Sequence, residues 1–155
     1  MWFSRNQASQ PLPGGADSAT QALPKQITTK SRGDDAEAAA LEHLLRSGLN
    51  LVETNYRTPG RGGGEIDLIM RCTDGTLVFV EVRQRSSTSY GGAAASIGAV
   101  KQRRIIFAAR HYLMRFASLP PCRFDVVLVQ GTPGKEGTES PVVQIEWMQA
   151  AFDAS

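Results

Sequence analysis

The sequence predicts an α/β domain, a mixed central sheet with helices packed on its faces, and three observations carry that prediction. Segments of helical and of strand period follow one another in the order helix, three strands, helix, two strands. Two of the strand segments, LVFVEV (77–82) and RFDVVLV (123–129), are rich in β-branched and aliphatic residues, as in strands buried on both faces. The 155 residues, 41% of them apolar, supply one domain's worth of core.

Residues 1–32 carry Pro, Gly, Ser, Gln and Thr without a sustained period and are expected to be a disordered N-terminal extension, leaving residues 33–155 as the domain. GDDAEAAALEHLLRSG (33–48) is the clearest helix: Asp34 or Asp35 suits the N-cap, and Gly48 suits the stop. Leu41, Leu44 and Leu45 mark its apolar stripe, and Glu37, four and seven residues before the first two, falls on that stripe. LNLVETNYR (49–57) reads as a strand, TPGRGGG (58–64) as a loop, and 65–85 as a hairpin. SSTSYGGAAAS (86–96) is a second loop. IGAVKQRRIIFAARHYLMRF (97–116) is a long helix with Ile97, Ile105, Ala108 and Tyr112 inward. Lys101 shares that inward face, four residues from both isoleucines. After Pro120-Pro121 come the strand RFDVVLVQG (123–131), a loop to 141, and a last strand VVQIEWM (142–148).

Charge is segregated along the chain. Residues 33–82 carry 4 basic and 9 acidic groups, whereas residues 83–123 carry 8 basic groups and no acid. A one-sign segment of this kind is a footprint for a polyanion, with Arg103, Arg104 and Arg110 on the helix as phosphate contacts. Two cysteines, Cys72 and Cys122, exclude a disulfide framework and a zinc site of known spacing, and they suit a reducing compartment. No apolar run is long enough for a signal peptide or a membrane span, so the expectation is a soluble cytoplasmic protein without a membrane partner. His43 and His111 have no ligand spacing and are expected to be structural or surface residues. Asp125 is expected in a structural ion pair or hydrogen bond. GRGGG (60–64) lacks the strand-before, helix-after context of a nucleotide-binding turn; its glycines could instead admit a nucleic-acid backbone.

The chemistry concentrates in EIDLIMRCTDGTLVFVEVRQR (65–85). Alternation puts Glu65 and Asp67 on one side of their strand, and Glu81, Arg83 and Arg85 on one side of theirs. A two-residue Asp74-Gly75 turn sends Asp67 and Glu81 to opposite faces. A three-residue Thr73-Asp74-Gly75 turn, with Gly75 left-handed, sets them directly across from each other. Like charges in that position repel unless a cation or a proton lies between them. Two such carboxylates, with Glu37 and the Val82 carbonyl at hand, would be a hard oxygen site for Mg²⁺ or Mn²⁺. Such an ion lowers the pKa of a bound water and neutralises charge at a scissile phosphate.

GDDAE, GEIDLI, FVEVRQR, the isolated Lys101 and RFDVV together resemble the YraN-like family of predicted bacterial endonucleases. That family is similar to archaeal Holliday-junction resolvases and belongs to the PD-(D/E)XK, restriction-endonuclease-like superfamily. The resemblance runs from about Gly33 to about Val129. It implies an αβββαβ core, Asp67 and Glu81 as metal ligands, Glu37 as a helix-borne auxiliary ligand, and an auxiliary place for Glu65. DNA, branched or otherwise structured, is the implied partner. Junction-cutting enzymes often act as symmetric pairs, so a homodimer is admitted, although no segment marks its face.

The chain departs from that pattern at Arg83, where the motif has lysine. Arginine keeps the charge and can grip a phosphate with two donors, but it cannot give up its proton. Lys101 is the candidate to act in its place, and Arg85 the candidate to assist. Three readings therefore stand open: a metal-dependent endonuclease, a nucleic-acid-binding module of the same fold that has lost catalysis, and a protein-interaction domain whose basic helix docks an acidic partner.

Overall fold

The computed structural model describes residues 29–85, 97–131 and 143–155. The elements are α1 (Thr29–Arg46), β1 (Asn50–Arg57), β2 (Glu65–Arg71), β3 (Leu77–Arg85), α2 (Ala99–Leu113), β4 (Cys122–Gln130) and β5 (Gln144–Phe152). The expected element order is found, and its first six members form an αβββαβ core. All five strands make one sheet in sequence order. β1–β2, β2–β3 and β4–β5 pair antiparallel, and β3–β4 pair parallel because α2 carries the chain back across one face.

Alternation along the two central strands divides the core. Leu77, Phe79, Phe124, Val126 and Leu128 pack against Ile105, Ala108, Ala109 and Tyr112 of α2. Val78, Val80, Val127 and Val129 pack on the opposite face against Ala36, Ala40 and Leu44 of α1. The buried stripe of α1 runs through Ala36, Ala40 and Leu44 at a four-residue repeat, with Leu41 packed at its side; of the expected leucines only Leu45, 47% exposed, turns away. Alanine lets the helix axis lie close to a sheet surface already crowded with valines. The helix also begins at Thr29, so Asp34 and Asp35 lie within it and neither is the N-cap. Residues 1–28 of the expected extension lie outside the described residues.

β5 reaches Phe152, beyond the expected end at 148, and Asp125 explains the length. This fully buried carboxylate accepts hydrogen bonds from Arg123 Nε (3.0 Å), Trp147 Nε1 (2.9 Å) and the Ala150 amide (2.9 Å). Phe152 then stacks on Phe124 at 4.9 Å. Asp125 is structural, as expected. His43 sits edge-on to Trp147, and His111 hydrogen-bonds the Tyr56 hydroxyl, so both histidines are packing residues. Cys72 and Cys122 are free thiols.

The glycine loop has a packing reason. A Cβ on Gly64 would stand 1.9 Å from the Arg104 carbonyl oxygen of α2. The Gly64 amide donates to Thr58 Oγ1 at 2.8 Å, closing the loop on itself, and Arg104 of the helix donates to the Gly63 carbonyl at 3.4 Å. The space expected for a nucleic-acid backbone is taken, at Gly64, by the protein's own helix.

Gly64→Ala must therefore push α2 off β2, since the obstacle is backbone. Thermal denaturation is expected to show a loss on the order of 3 kcal/mol, or roughly 10 °C. A change within about 1 °C would mean that the loop and α2 do not bear on each other.

Candidate functional site

The site begins with the turn between β2 and β3. Gly75 has φ +90°, the left-handed region that a side chain disfavours, and its amide donates to the Cys72 carbonyl at 3.0 Å. The Cys72 amide in turn donates to the Thr76 carbonyl at 2.9 Å, and Asp74 Oδ1 accepts from the Thr76 amide at 2.9 Å. This is the three-residue turn. It fixes Arg71 opposite Leu77 and Leu68 opposite Val80, and one step further places Asp67 opposite Glu81. The ladder stops there, and Asp67 Oδ2 accepts the Val82 amide hydrogen at 2.8 Å.

Glu81 lies on the most buried strand. Leu77 through Glu81 are all buried, and Glu81 Oε2 has no hydrogen-bond partner among the described residues. Burial, then the charge of Asp67, push its carboxyl up to about 8, against the counter-pull of Lys101. Without a bound cation the pair therefore tends to hold a proton at neutral pH.

Glu37 enters from α1. Partial burial and then the charge of Asp67 raise its pKa, with smaller upward pushes from Asp34 and Glu65, while a hydrogen bond with Asn55 lowers it. Asn55 is a residue that sequence reasoning missed. It lies on β1 with φ +51°, between the pairs Thr54–Leu68 and Tyr56–Ile66, and so falls opposite Asp67. Asparagine tolerates left-handed backbone better than most residues, and that turn of the chain serves its hydrogen bond with Glu37. A polar residue flanked by β-branched and aromatic strand formers in VETNYR was the only available signal.

Lys101 is where its helical spacing placed it. Its ammonium stands 3.4 Å from Glu81 Oε1 and 3.5 Å from Glu65 Oε1. Burial alone would lower its pKa, but Glu81, Asp67 and Glu65 outweigh burial and the net shift is upward. The carboxylates around it thus favour its charged form. Glu65 also approaches Arg57 Nε at 3.6 Å.

Arg83 is half-buried two residues beyond Glu81 on β3, beside Leu128 in the parallel register. Arg85 approaches Glu146 of β5 at 3.8 Å, so part of its charge is already spent within the sheet. Arg103, Arg104 and Arg110 are exposed on α2. Arg104 donates to the Gly63 carbonyl at 3.4 Å and Arg110 to the Ala154 carbonyl at 3.2 Å. Arg115 packs over the Tyr112 ring at 3.8 Å and pairs with Glu53 at 3.7 Å.

Among the described residues, no three acidic, histidine or cysteine side chains form a ready-made cation cage. Glu37 is coupled to Asp67 by charge but is engaged with Asn55, and Lys101 takes the third place beside Glu81. Even so, the donor set fits a hard divalent ion. It has two adjacent carboxylates, one with a buried oxygen lacking a partner, and a third carboxylate near by.

Residues 36–129 match the model of a family described as "Uncharacterised protein family UPF0102". A UPF0102 protein of Polaromonas naphthalenivorans is 71% identical over the full length of both chains. One from a second Polaromonas species is 68% identical over the same span, and one from Paracidovorax citrulli is 59% identical over 92% of each chain.

The raised Glu81 carboxyl sets a pH dependence. Below about 4.5 it is protonated both folded and unfolded; between 4.5 and 8 only the unfolded chain releases the proton. Its stabilising contribution is therefore full below pH 4.5 and lost as pH rises through 8. In chelator-treated protein, melting temperature should fall by up to on the order of 10 °C more in wild type than in Glu81→Gln between pH 5 and 9. Parallel pH profiles for the two proteins would contradict a buried, charge-burdened Glu81.

Proposed function

The chain belongs to the UPF0102 family, and we propose that it is a divalent-metal-dependent endonuclease acting on DNA in the cytoplasm, with branched or structured DNA as its substrate. The observation that carries this reading is the buried Glu81 carboxylate, one oxygen without a partner, set beside Asp67 in the middle of the sheet. A carboxylate pair that costs this much to bury is hard to explain by packing, and the eight basic groups of 83–123 begin immediately after it.

Asp67 and Glu81 would hold Mg²⁺ or Mn²⁺, with Glu37 and the Val82 carbonyl assisting. The ion, when bound, supplies charge neutralisation at the scissile phosphate and a water of lowered pKa. The remaining work belongs to side chains of this chain. Lys101, tethered by Glu65 and Glu81, and Arg83 present fixed positive charge where a phosphate would approach. Arg83 keeps its proton throughout, and the carboxylates beside Lys101 favour its charged form. Arg103, Arg104 and Arg110 extend the positive surface for flanking phosphates, and Arg85 supports the edge near β5. Phosphate contacts carry no sequence information, so selectivity for sequence is expected to be weak and salt dependence steep.

A second reading rests on Arg83. With arginine in place of the motif lysine, the fold could bind DNA and not cut it. Supercoiled, linear, single-stranded and four-way-junction DNA, incubated with protein and Mn²⁺, separate the two. The proposal expects Mn²⁺-dependent cleavage that Asp67→Ala lowers at least about a hundredfold while Arg83→Lys keeps it within about tenfold of wild type. Binding without cleavage in wild type, with cleavage gained in Arg83→Lys, would establish the binding module instead. Absence of binding at moderate salt would leave the interaction domain.

A further inference from the structure

The outward face of α2 carries an unusual pattern. Val100, Phe107 and Met114 recur every seventh residue along it, and they are 64%, 54% and 79% exposed. On a helix the surface neighbours of Phe107 are the residues three and four positions away. Those are Arg103, Arg104, Arg110 and His111: every one of them is basic or a histidine. None of the three arginines forms an ion pair among the described residues, and no acid occurs anywhere between 83 and 123. On its inward side the same helix holds Lys101 against Glu81, so the helix that presents Phe107 outward also borders the carboxylates.

A second copy of the chain is a poor occupant, because a symmetric pair on this face would bring the arginines against their own counterparts. A polyanion fits the charge, but charge alone does not explain an exposed phenyl ring held inside an arginine frame. In an intact duplex the faces of the bases are covered by their neighbours in the stack and have nothing to offer the ring. In a strand with unpaired nucleotides they are open, and an aromatic ring flanked by guanidinium groups is the chemistry that holds them.

We infer that α2 is a docking face for unpaired nucleotides, with Phe107 stacking on a base while Arg103, Arg104 and Arg110 hold the phosphates on either side. This deepens the endonuclease reading and rests on it, assigning the substrate class as nucleic acid with a single-stranded arm or gap next to the cleaved bond.

The test is equilibrium binding by fluorescence anisotropy, in chelating buffer so that cleavage does not intervene. The probes are a labelled single-stranded oligonucleotide, its duplex, and a fork with one unpaired arm. Phe107→Ala, a surface change, is expected to weaken single-strand and fork binding about tenfold, the loss of roughly one stacked base, and duplex binding less than about twofold. Phe107→Trp should keep the affinity, and its added fluorescence should be quenched by the single strand. Arg103→Ala should weaken all three probes and reduce the salt dependence by about one phosphate contact. If Phe107→Ala binds the single strand as wild type does, while wild type still cuts DNA with Mn²⁺, the inference fails and the endonuclease reading stands. Equal losses on single strand and duplex overturn it too. Failure of wild type to bind any of the probes overturns the inference, and with no cutting in Mn²⁺ it overturns both, as does capture of an acidic peptide in their place.

Discussion

The arrangement depends on one turn. With Gly75 in the left-handed region and the Cys72 amide closed onto Thr76, the β2–β3 register places Asp67 against Glu81. Side chains alternate along a strand, so a slip of one residue would turn one carboxylate to the other face and put an apolar side chain in its place. If Glu81 turned, Lys101 would have no carboxylate to meet there; if Asp67 turned, Glu37, reaching in from the opposite helix, would lose the charge it is coupled to. The position of every group in the site is inherited from the count of residues between Cys72 and Thr76.

Two buried carboxylates on neighbouring central strands show how differently a fold can treat the same group. Asp125 on β4 is met by a guanidinium, an indole N–H and a backbone amide, and so stabilises the β4–β5 pairing. Glu81 on β3 is buried beside Asp67, keeps one oxygen without a partner, and has Lys101 as partial compensation at 3.4 Å. A carboxylate satisfied from all sides contributes to stability. One left short of partners beside a second carboxylate costs stability, and a bound cation of the proposed kind would relieve that cost.

The parts of this arrangement that could be read from the chain were those with local chemistry. Thr73-Asp74-Gly75 is a turn sequence, and alternation then dictates which carboxylates can meet. The four-residue spacing of Lys101 from Ile97 and Ile105 aims it inward. Asp125, set between Phe124 and Val126, had to be satisfied by something near. The hidden parts were those set by tertiary packing. The stripe of α1 was read from its leucines, of which Leu44 belongs to it, whereas close approach to a valine-rich sheet extends it through Ala36 and Ala40. The first turn of α1, from Thr29, was passed over because Gly33-Asp34-Asp35 itself reads as a helix start. Gly64 looked like a surface loop residue until α2 was seen against it, and Asn55 left the strand pattern for a contact with a helix nearly twenty residues earlier in the chain.

The central claim is that Asp67 and Glu81 jointly bind a divalent cation, and anomalous diffraction from crystals soaked in Mn²⁺ addresses it directly. The account requires one strong peak between the Asp67 carboxylate and Glu81 Oε2, absent when Asp67 is replaced by asparagine. A well-ordered site with no peak there, or a peak that persists unchanged in that variant, would contradict it.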